Sequence, residues 1–338
     1  MTTLFLPHLV NGPTGDPALY VDLRWERRAF LVDLGDLAPL STPQILRTTH
    51  AFVSHAHMDH FFGFDRVLRF HLARPTRFHL FGPAGMITKA RGHLAGYTWN
   101  LTADYPFVLD VTEVTEETLR TATFPARTAF EPEGDSVDTP FRGTLLDEPL
   151  LRIECAILDH AIPSLAFALQ EKDHVHVDPN AIERLGLRAG AWLRTFKTGV
   201  REGWTDDHPI PVEERGKPLG DATRPLGELR PLVARIDPGA RLVYATDAVF
   251  SEENARRIVA LARDADLLFI EAMFMEKDAG RAKERFHLTA RQAGLLARRA
   301  GAKALEVFHV SPRYSDDPGA VIAEALEAFH EAPAAAAR

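Results

Sequence analysis

Ser54-His55-Ala56-His57-Met58-Asp59-His60 is the stretch from which the rest of the chain can be read. It follows Ala51-Phe52-Val53, a short apolar run that reads as a buried strand. Three histidines and one aspartate therefore crowd the end of a strand, where the chain turns and side chains can converge. His55 and His57 are two apart, so in extended backbone they point the same way. Asp59 and His60 fall where the chain enters a helix and face a second point close by. Two metal ions a few ångströms apart, held by imidazole and carboxylate, suit that geometry. A surface histidine cluster is the bland alternative, and the spacing is too specific to favour it.

These four side chains cannot complete two metal sites, so partners are expected at other strand ends. His160 follows the run ending in Leu158-Asp159. Asp247 follows Leu242-Val243-Tyr244-Ala245-Thr246, and His309 follows Leu305-Glu306-Val307-Phe308. Open α/β sheets place ligands at such strand ends. A strand-end Asp or His taken alone is more often a cap, but the first motif requires partners.

Composition bounds what surrounds this site. The chain has 338 residues, 46% apolar and 25% charged, the profile of an ordinary globular protein. Length alone suggests two domains or one large one, at about 150 residues each. The net charge of −8 argues against a general nucleic-acid coat and leaves room for a local basic patch. One cysteine excludes an internal disulfide and a cysteine-rich zinc site, so any metal must be held by histidine and carboxylate. Histidine is abundant, at 15 residues. Met1 to Pro13 lacks the form of a signal peptide, and no stretch approaches the roughly 18 apolar residues of a membrane span. The default expectation is a cytoplasmic protein without a membrane partner.

Strands and helices alternate along most of the chain. Strands are expected at Phe78–Phe81, Leu150–Leu158, Leu165–Leu169, Arg241–Thr246, Asp266–Ile270 and Leu305–Phe308. Helices are expected after Ser251, after Thr289 as far as Gly301, and from Asp316 to His330 with Val321, Ile322, Leu326 and Phe329 inward. Pro333 to Arg338 reads as a frayed tail. The segment from about Glu171 to Leu229 differs, being richer in charge, Gly and Pro. It reads as two short helices, Pro179–Leu185 and Ala189–Phe196, then a loop from Thr198 to Pro231. His174 and His176 within it read as exposed.

The order HxHxDH, then His160, Asp247 and His309, resembles the metallo-β-lactamase fold, and within it the ribonuclease Z family. Narrower likeness lies in Phe308-His309-Val310-Ser311-Pro312-Arg313-Tyr314, which is similar to that family's closing motif. Phe269-Ile270-Glu271-Ala272 stands where the family has His-Glu-Ala-Thr, and Phe286-His287-Leu288-Thr289 where it has His-Ser-Thr. The resemblance implies an α/β, four-layer αβ/βα sandwich, one domain with an insertion at about 171–229 that forms a substrate arm or a lid. It implies two zinc ions, with manganese or iron(II) as alternatives. His55, His57 and His160 would bind one, Asp59, His60 and His309 the other, and Asp247 both. Asp59 would also hold or deprotonate the nucleophile, and His287, oriented by Glu271, would protonate the leaving oxygen. The implied activity is hydrolysis of a phosphodiester by metal-activated hydroxide in pre-tRNA 3′ processing, by a homodimer. Arg184, Arg188, Arg194, Lys197 and Arg201 on the inserted segment offer either phosphate contacts or a solvated helix face. A hydrolase of a small phosphodiester or thioester, without an RNA partner, is the alternative.

Overall fold

The structure is a computed structural model that describes residues 3–214 and 222–331. The chain divides into two compact units, residues 1–170 with 241–338, and residues 171–240. The first unit opens with eight strands: β1 (Phe5–Leu9), β2 (Leu19–Leu23), β3 (Arg28–Val32), β4 (Thr48–Phe52), β5 (Arg77–Pro83), β6 (Val108–Val114), β7 (Thr118–Pro125) and β8 (Val137–Pro140). They pair in chain order into one sheet. β3 to β6 run parallel, and antiparallel strands flank them on both sides. Helices α1 (Thr42–Arg47), α2 (Met58–Phe61), α3 (Phe64–His71) and α4 (Met86–Leu94) lie between these strands in sequence.

A second sheet begins with β9 (Thr144–Asp147), β10 (Leu151–Asp159) and β11 (Pro163–Glu171). The chain then forms the second unit from β12 (His174–Val177), α5 (Pro179–Arg184), β13 (Leu187–Arg188), α6 (Trp192–Glu202), β14 (Pro209–Glu214), β15 (Ala222–Pro225), α7 (Leu226–Val233) and β16 (Ala234–Asp237). It returns as β17 (Arg241–Ala245), α8 (Glu252–Leu261), β18 (Leu267–Glu271), α9 (Ala279–Glu284), α10 (Ala290–Ala300), β19 (Leu305–Phe308) and α11 (Pro318–His330). The second sheet has the order β19-β18-β17-β11-β10-β9. β17, β18 and β19 are parallel, while β11 meets β17 antiparallel.

Both faces of each central strand are covered, which explains why these strands read as continuous apolar runs rather than alternating ones. In β3, Phe30 and Val32 face the second sheet, while Ala29 and Leu31 face the helices. In β18, Phe269 faces the first sheet, while Leu268 and Ile270 face α8 and α10. Phe30, Phe52, Phe167, Tyr244 and Phe269 fill the space between the sheets. Phe64, Val67, Met86 and Ala90 cover one outer face, and Ile258, Leu296 and Val321 the other. The first unit is thus a four-layer αβ/βα sandwich.

Helix ends follow their local chemistry. Ser251 caps α8, its side chain accepting from Asn254 N–H. Thr289 and Gln292 form a capping box on α10, and Gly301 closes that helix at φ 70°. The expected inward face of α11 needs correction. Val321, Ala325 and Ala328 are buried, Ile322 and Phe329 are partly buried, and Leu326 is 36% exposed. The cause is close approach of α10, because a Cβ on Gly294 would come within 2.1 Å of the Ala325 carbonyl oxygen. Small residues, not Leu, fit that seam.

The inserted unit also differs from its expected form. The second helix begins at Trp192, three residues later than expected, and runs on through Thr198 to Glu202, where Gly203 caps it at φ 67°. The region expected to be a loop from Thr198 to Pro231 contains β14, β15 and most of α7. β13, β14 and β15 form one small sheet, and β12 pairs with β16. Leu187, Trp192, Phe196, Ile210, Leu226 and Leu229 give this unit its own core. Residues 215–221 of that expected loop, and the tail expected over Pro333–Arg338, lie outside the described residues.

Candidate metal centre

Strand ends of both sheets deliver the polar side chains to one place. β4 leads into the motif, with His57 as the N-cap of α2 and Asp59 and His60 inside that helix. Leu34 N–H donates to the His60 carbonyl and Gly63 N–H to the Leu34 carbonyl, both at 2.8 Å, so α2 rests on the loop after β3. A Cβ on Gly63 would lie 2.2 Å from the Gly35 carbonyl oxygen, so only glycine allows this approach. His160 sits at the turn between β10 and β11. Asp247 and His309 follow β17 and β19, and Glu271 ends β18.

His55, His57, His160 and Asp247 form one group whose donor atoms all lie within 4.8 Å of one another. Asp59, His60 and His309 form a second such group, and Asp247, Glu271, His287 and His309 a third. His55 Nε2 is 2.9 Å from His57 Nδ1 and 3.6 Å from Asp247 Oδ2, which is 3.4 Å from His160 Nε2. On the other side, His60 Nε2 is 3.5 Å from Asp247 Oδ2 and 3.6 Å from Asp59 Oδ2. His309 stands between the acids, with Nε2 3.3 Å from Asp59 Oδ2 and Nδ1 2.8 Å from Asp247 Oδ1. Asp247 therefore reaches both groups.

The donor set fits metal ions. His60 Nε2 and His309 Nδ1 are buried and have no well-aligned hydrogen bond, although Asp247 lies beside both. Donors bound tetrahedrally at 2.0–2.1 Å would lie about 3.3 Å apart, and the spacings above bracket that value. The Nδ1 atoms of His55, His60 and His160 are anchored away from the centre. His160 Nδ1–H donates to the Phe286 carbonyl at 2.8 Å, which leaves Nε2 as the lone-pair atom. Ser54 Oγ donates to Asp33 and so accepts from His55 Nδ1–H at 3.1 Å.

The charges of the group reinforce one another. Burial alone would raise the pKa of Asp247, yet His309 and His60 hold it well below the usual carboxylate range. Burial opposes charge on His60, but Asp247 and Asp33 outweigh it and hold that imidazole well above its ordinary value. His309 is likewise disfavoured by burial and pushed up to about 10 by Asp247 and Asp59. His55 and His57 are held low, chiefly by burial, then by neighbouring imidazoles. His287 Nδ1 lies 2.9 Å from Glu271 Oε2, and Glu271 Oε1 accepts from Ala248 N–H at 2.8 Å. Against the effect of burial, Glu271 raises His287.

All nine expected site residues thus meet in one region. His174 and His176 stay in the other unit, where His174 Nε2 lies 2.8 Å from Glu171 and His176 Nε2 lies 3.2 Å from Asp237. Sequence reading missed Asp33. Fully buried, it accepts from Ser54 N–H (2.7 Å), Ser54 Oγ–H (2.9 Å), Tyr244 O–H (2.8 Å) and His60 Nδ1–H (2.9 Å). Its signal is the rule that found His160, Asp247 and His309, an acid directly after the apolar strand Phe30-Leu31-Val32. Asp33, Asp247 and His309 also adopt φ of 57°, 21° and 59°, left-handed conformations that non-glycine residues keep mainly where function requires them.

Comparison with known proteins follows the same line. No protein-family model matches the chain. The ribonuclease Z of Deinococcus radiodurans is 34% identical over 313 residues, covering 91% of this chain and 90% of that relative. The chain belongs to the ribonuclease Z family. The ribonuclease Z of Porphyromonas gingivalis is 28% identical over 290 residues, covering 84% of this chain and 78% of that one. The metallo-β-lactamase fold protein YhfI of Bacillus subtilis aligns with a TM-score of 0.52 and 13% identity, covering 95% of this chain and 92% of that one, a likeness of fold. This ribonuclease Z family member is accordingly a metal-dependent hydrolase. Among its described residues, no helix is long and apolar enough to cross a membrane.

Proposed function

We propose that the chain is a dinuclear-zinc phosphodiesterase that trims the 3′ end of precursor tRNA. The carrying observation is Asp247, shared by two sets of imidazoles, with His287, held from behind by the buried Glu271, lining the same cavity. His55, His57 and His160 would hold one ion, Asp59, His60 and His309 the other, and Asp247 both. Imidazole and carboxylate donors suit zinc, with manganese or iron(II) as alternatives. When bound, such a pair lowers the pKa of water toward about 7 and offsets charge on a phosphoryl group.

The chain's own residues supply the rest. Asp59, with its side chain 42% exposed, can orient an attacking water from the open side. Nδ1 of His287 is engaged by Glu271, so Nε2 is its free nitrogen. Raised by that carboxylate, His287 keeps its proton to higher pH than a free imidazole and delivers it to the leaving oxygen. The inserted unit is assigned the role of a substrate arm. In support, Arg188, Arg194 and Lys197 have no ion pair among the described residues, whereas Arg184 lies 3.3 Å from Asp178. A homodimer and a cytoplasmic location belong to the same reading and rest on family membership.

The test is to offer the zinc-loaded protein a pre-tRNA with a 3′ trailer and, separately, bis(p-nitrophenyl) phosphate. A single cut after the discriminator base is expected. Hydrolysis of the small ester with no cut in the pre-tRNA at any protein concentration would overturn the proposal in favour of a small-ester hydrolase.

A further inference from the structure

The two oxygens of Asp247 have different surroundings. Oδ2 lies 3.6 Å from His55 Nε2, 3.4 Å from His160 Nε2 and 3.5 Å from His60 Nε2, so imidazoles of both groups surround this one atom. Oδ1 instead accepts from the Thr246 hydroxyl at 2.8 Å. His309 Nδ1 is also 2.8 Å from Oδ1, but it is too poorly aligned for a hydrogen bond. Among the described residues, Thr246 is thus the one well-aligned donor to that oxygen. The last torsion of an aspartate is broad and roughly two-fold, so rotamer preference does not decide which oxygen faces the centre. A hydrogen bond must decide it.

Thr246 is brought there by the strand before it. β17 alternates, with Tyr244 between the sheets and Val243 and Ala245 toward the helices. Continued one residue past β17, the alternation puts Thr246 on the side of Tyr244, and it is buried. These two hydroxyls, two residues apart, each donate to a buried acid, Tyr244 to Asp33 and Thr246 to Asp247. Adjacent residues in extended backbone point to opposite faces, so Thr246 and Asp247 would not meet without a turn. Asp247 supplies it with φ of 21°, a left-handed value that non-glycine residues rarely hold. The unusual backbone at Asp247 and the hydroxyl contact therefore belong together. Valine at position 246 would keep the shape and lose the donor.

We infer that Thr246 is a positioning residue: its hydroxyl ties down Oδ1 of Asp247, so that Oδ2 alone is presented to both ion positions. The inference rests on the two-ion part of the proposed function and on no RNA contact. It goes beyond that reading by naming the atom that is shared and the residue that selects it. A carboxylate has acceptor sites on both oxygens, so one released by Thr246 can turn to offer one oxygen to each ion. Both ions would then be held by a carboxylate without support behind it, and partners of this kind contribute about 10–100-fold to metal affinity.

The test compares Thr246→Val and Thr246→Ala, which remove the hydroxyl, with Thr246→Ser, which keeps it. Zinc is titrated against a competing chelator, and infrared difference spectra of protein with isotope-labelled aspartate follow the carboxylates as zinc is added. The antisymmetric and symmetric stretches lie further apart when one oxygen of a carboxylate binds metal than when both do. T246V and T246A should weaken both zinc-binding steps about 10–100-fold and narrow that separation, and T246S should restore the parental values. Unchanged affinity and spectrum in whichever hydroxyl-free variant folds would overturn the role of Thr246. Weaker binding with the parental spectrum would overturn the choice of oxygen, and T246S as weak as T246V would trace the loss to packing of the methyl group. In each of these cases two zinc ions per chain would leave the two-ion reading standing. Unaltered protein that takes up a single zinc would instead defeat that reading, and the shared oxygen with it.

Discussion

Asp33→Asn isolates what the buried carboxylate beneath the metal site contributes. Oδ1 accepts from Ser54 N–H, while Oδ2 accepts from Ser54 Oγ–H, Tyr244 O–H and His60 Nδ1–H, all within 2.9 Å. Asparagine keeps the first acceptor and turns the second position into a donor. The two hydroxyls can rotate to accept, but His60 cannot yield its Nδ1 proton without moving it to Nε2, the atom facing Asp247. That is the wrong tautomer for a ligand. Hydrogen bonds to a buried charge contribute about 1.5–3 kcal/mol each, and partial rescue by rotation leaves a stability loss of about 3 kcal/mol. Support lost behind a ligating imidazole should weaken binding at the His60 group about 10–100-fold. Urea unfolding of the metal-free protein measures the first effect, and zinc titration against a competing chelator measures the second. Stability within about 0.5 kcal/mol of the parent, together with unchanged affinity for the second zinc, would refute the assignment of Asp33 as the orienting group.

Other outcomes follow from the same geometry. His60 and His309, held above their ordinary values, carry protons at pH 7 in the metal-free protein, whereas His55, lowered to about 2, is already neutral. Loading the second group should therefore release protons and tighten as pH rises toward about 10, read by calorimetry in buffers of different protonation enthalpy; heats independent of buffer would contradict this. His287→Ala should lower kcat about 10²–10⁴-fold while atomic emission finds the same zinc content, and a parallel loss of zinc would show that His287 is a ligand instead. Gly294→Ala should separate α10 from α11 and cost about 1–3 kcal/mol, lowering Tm; an unchanged Tm would mean that the seam tolerates a methyl group.

What was legible in the sequence was what local order encodes. Apolar runs ending in His160, Asp247 and His309 announce themselves because strand and ligand are adjacent in the chain. Ser251, Thr289 and Gly301 mark helix ends through bonds within a few residues. Asp33 has the same strand-end position but no metal spacing, and its meaning depends on Tyr244, far away in the other sheet. Leu326 was expected inside because hydrophobicity favours it, yet the seam with α10 selects Ala325 and Ala328 by size, a tertiary fact. The strands of the insert were hidden because Pro209, Pro211 and Pro225 punctuate them, and only pairing with one another makes them strands.

His309 and Asp59 meet although 250 residues separate them. An ion held between them would act as a covalent staple does, joining the turn after the last strand to the short helix that ends the first motif. Closing a loop of that length removes about 5 kcal/mol of freedom from the unfolded chain, by the estimate used for disulfides. With a single cysteine, the chain has no internal disulfide to do this work. Stripping the ions would then do more than silence chemistry. It would return that freedom to the unfolded chain and lower Tm, while the apolar layer shared by the two sheets still joins them.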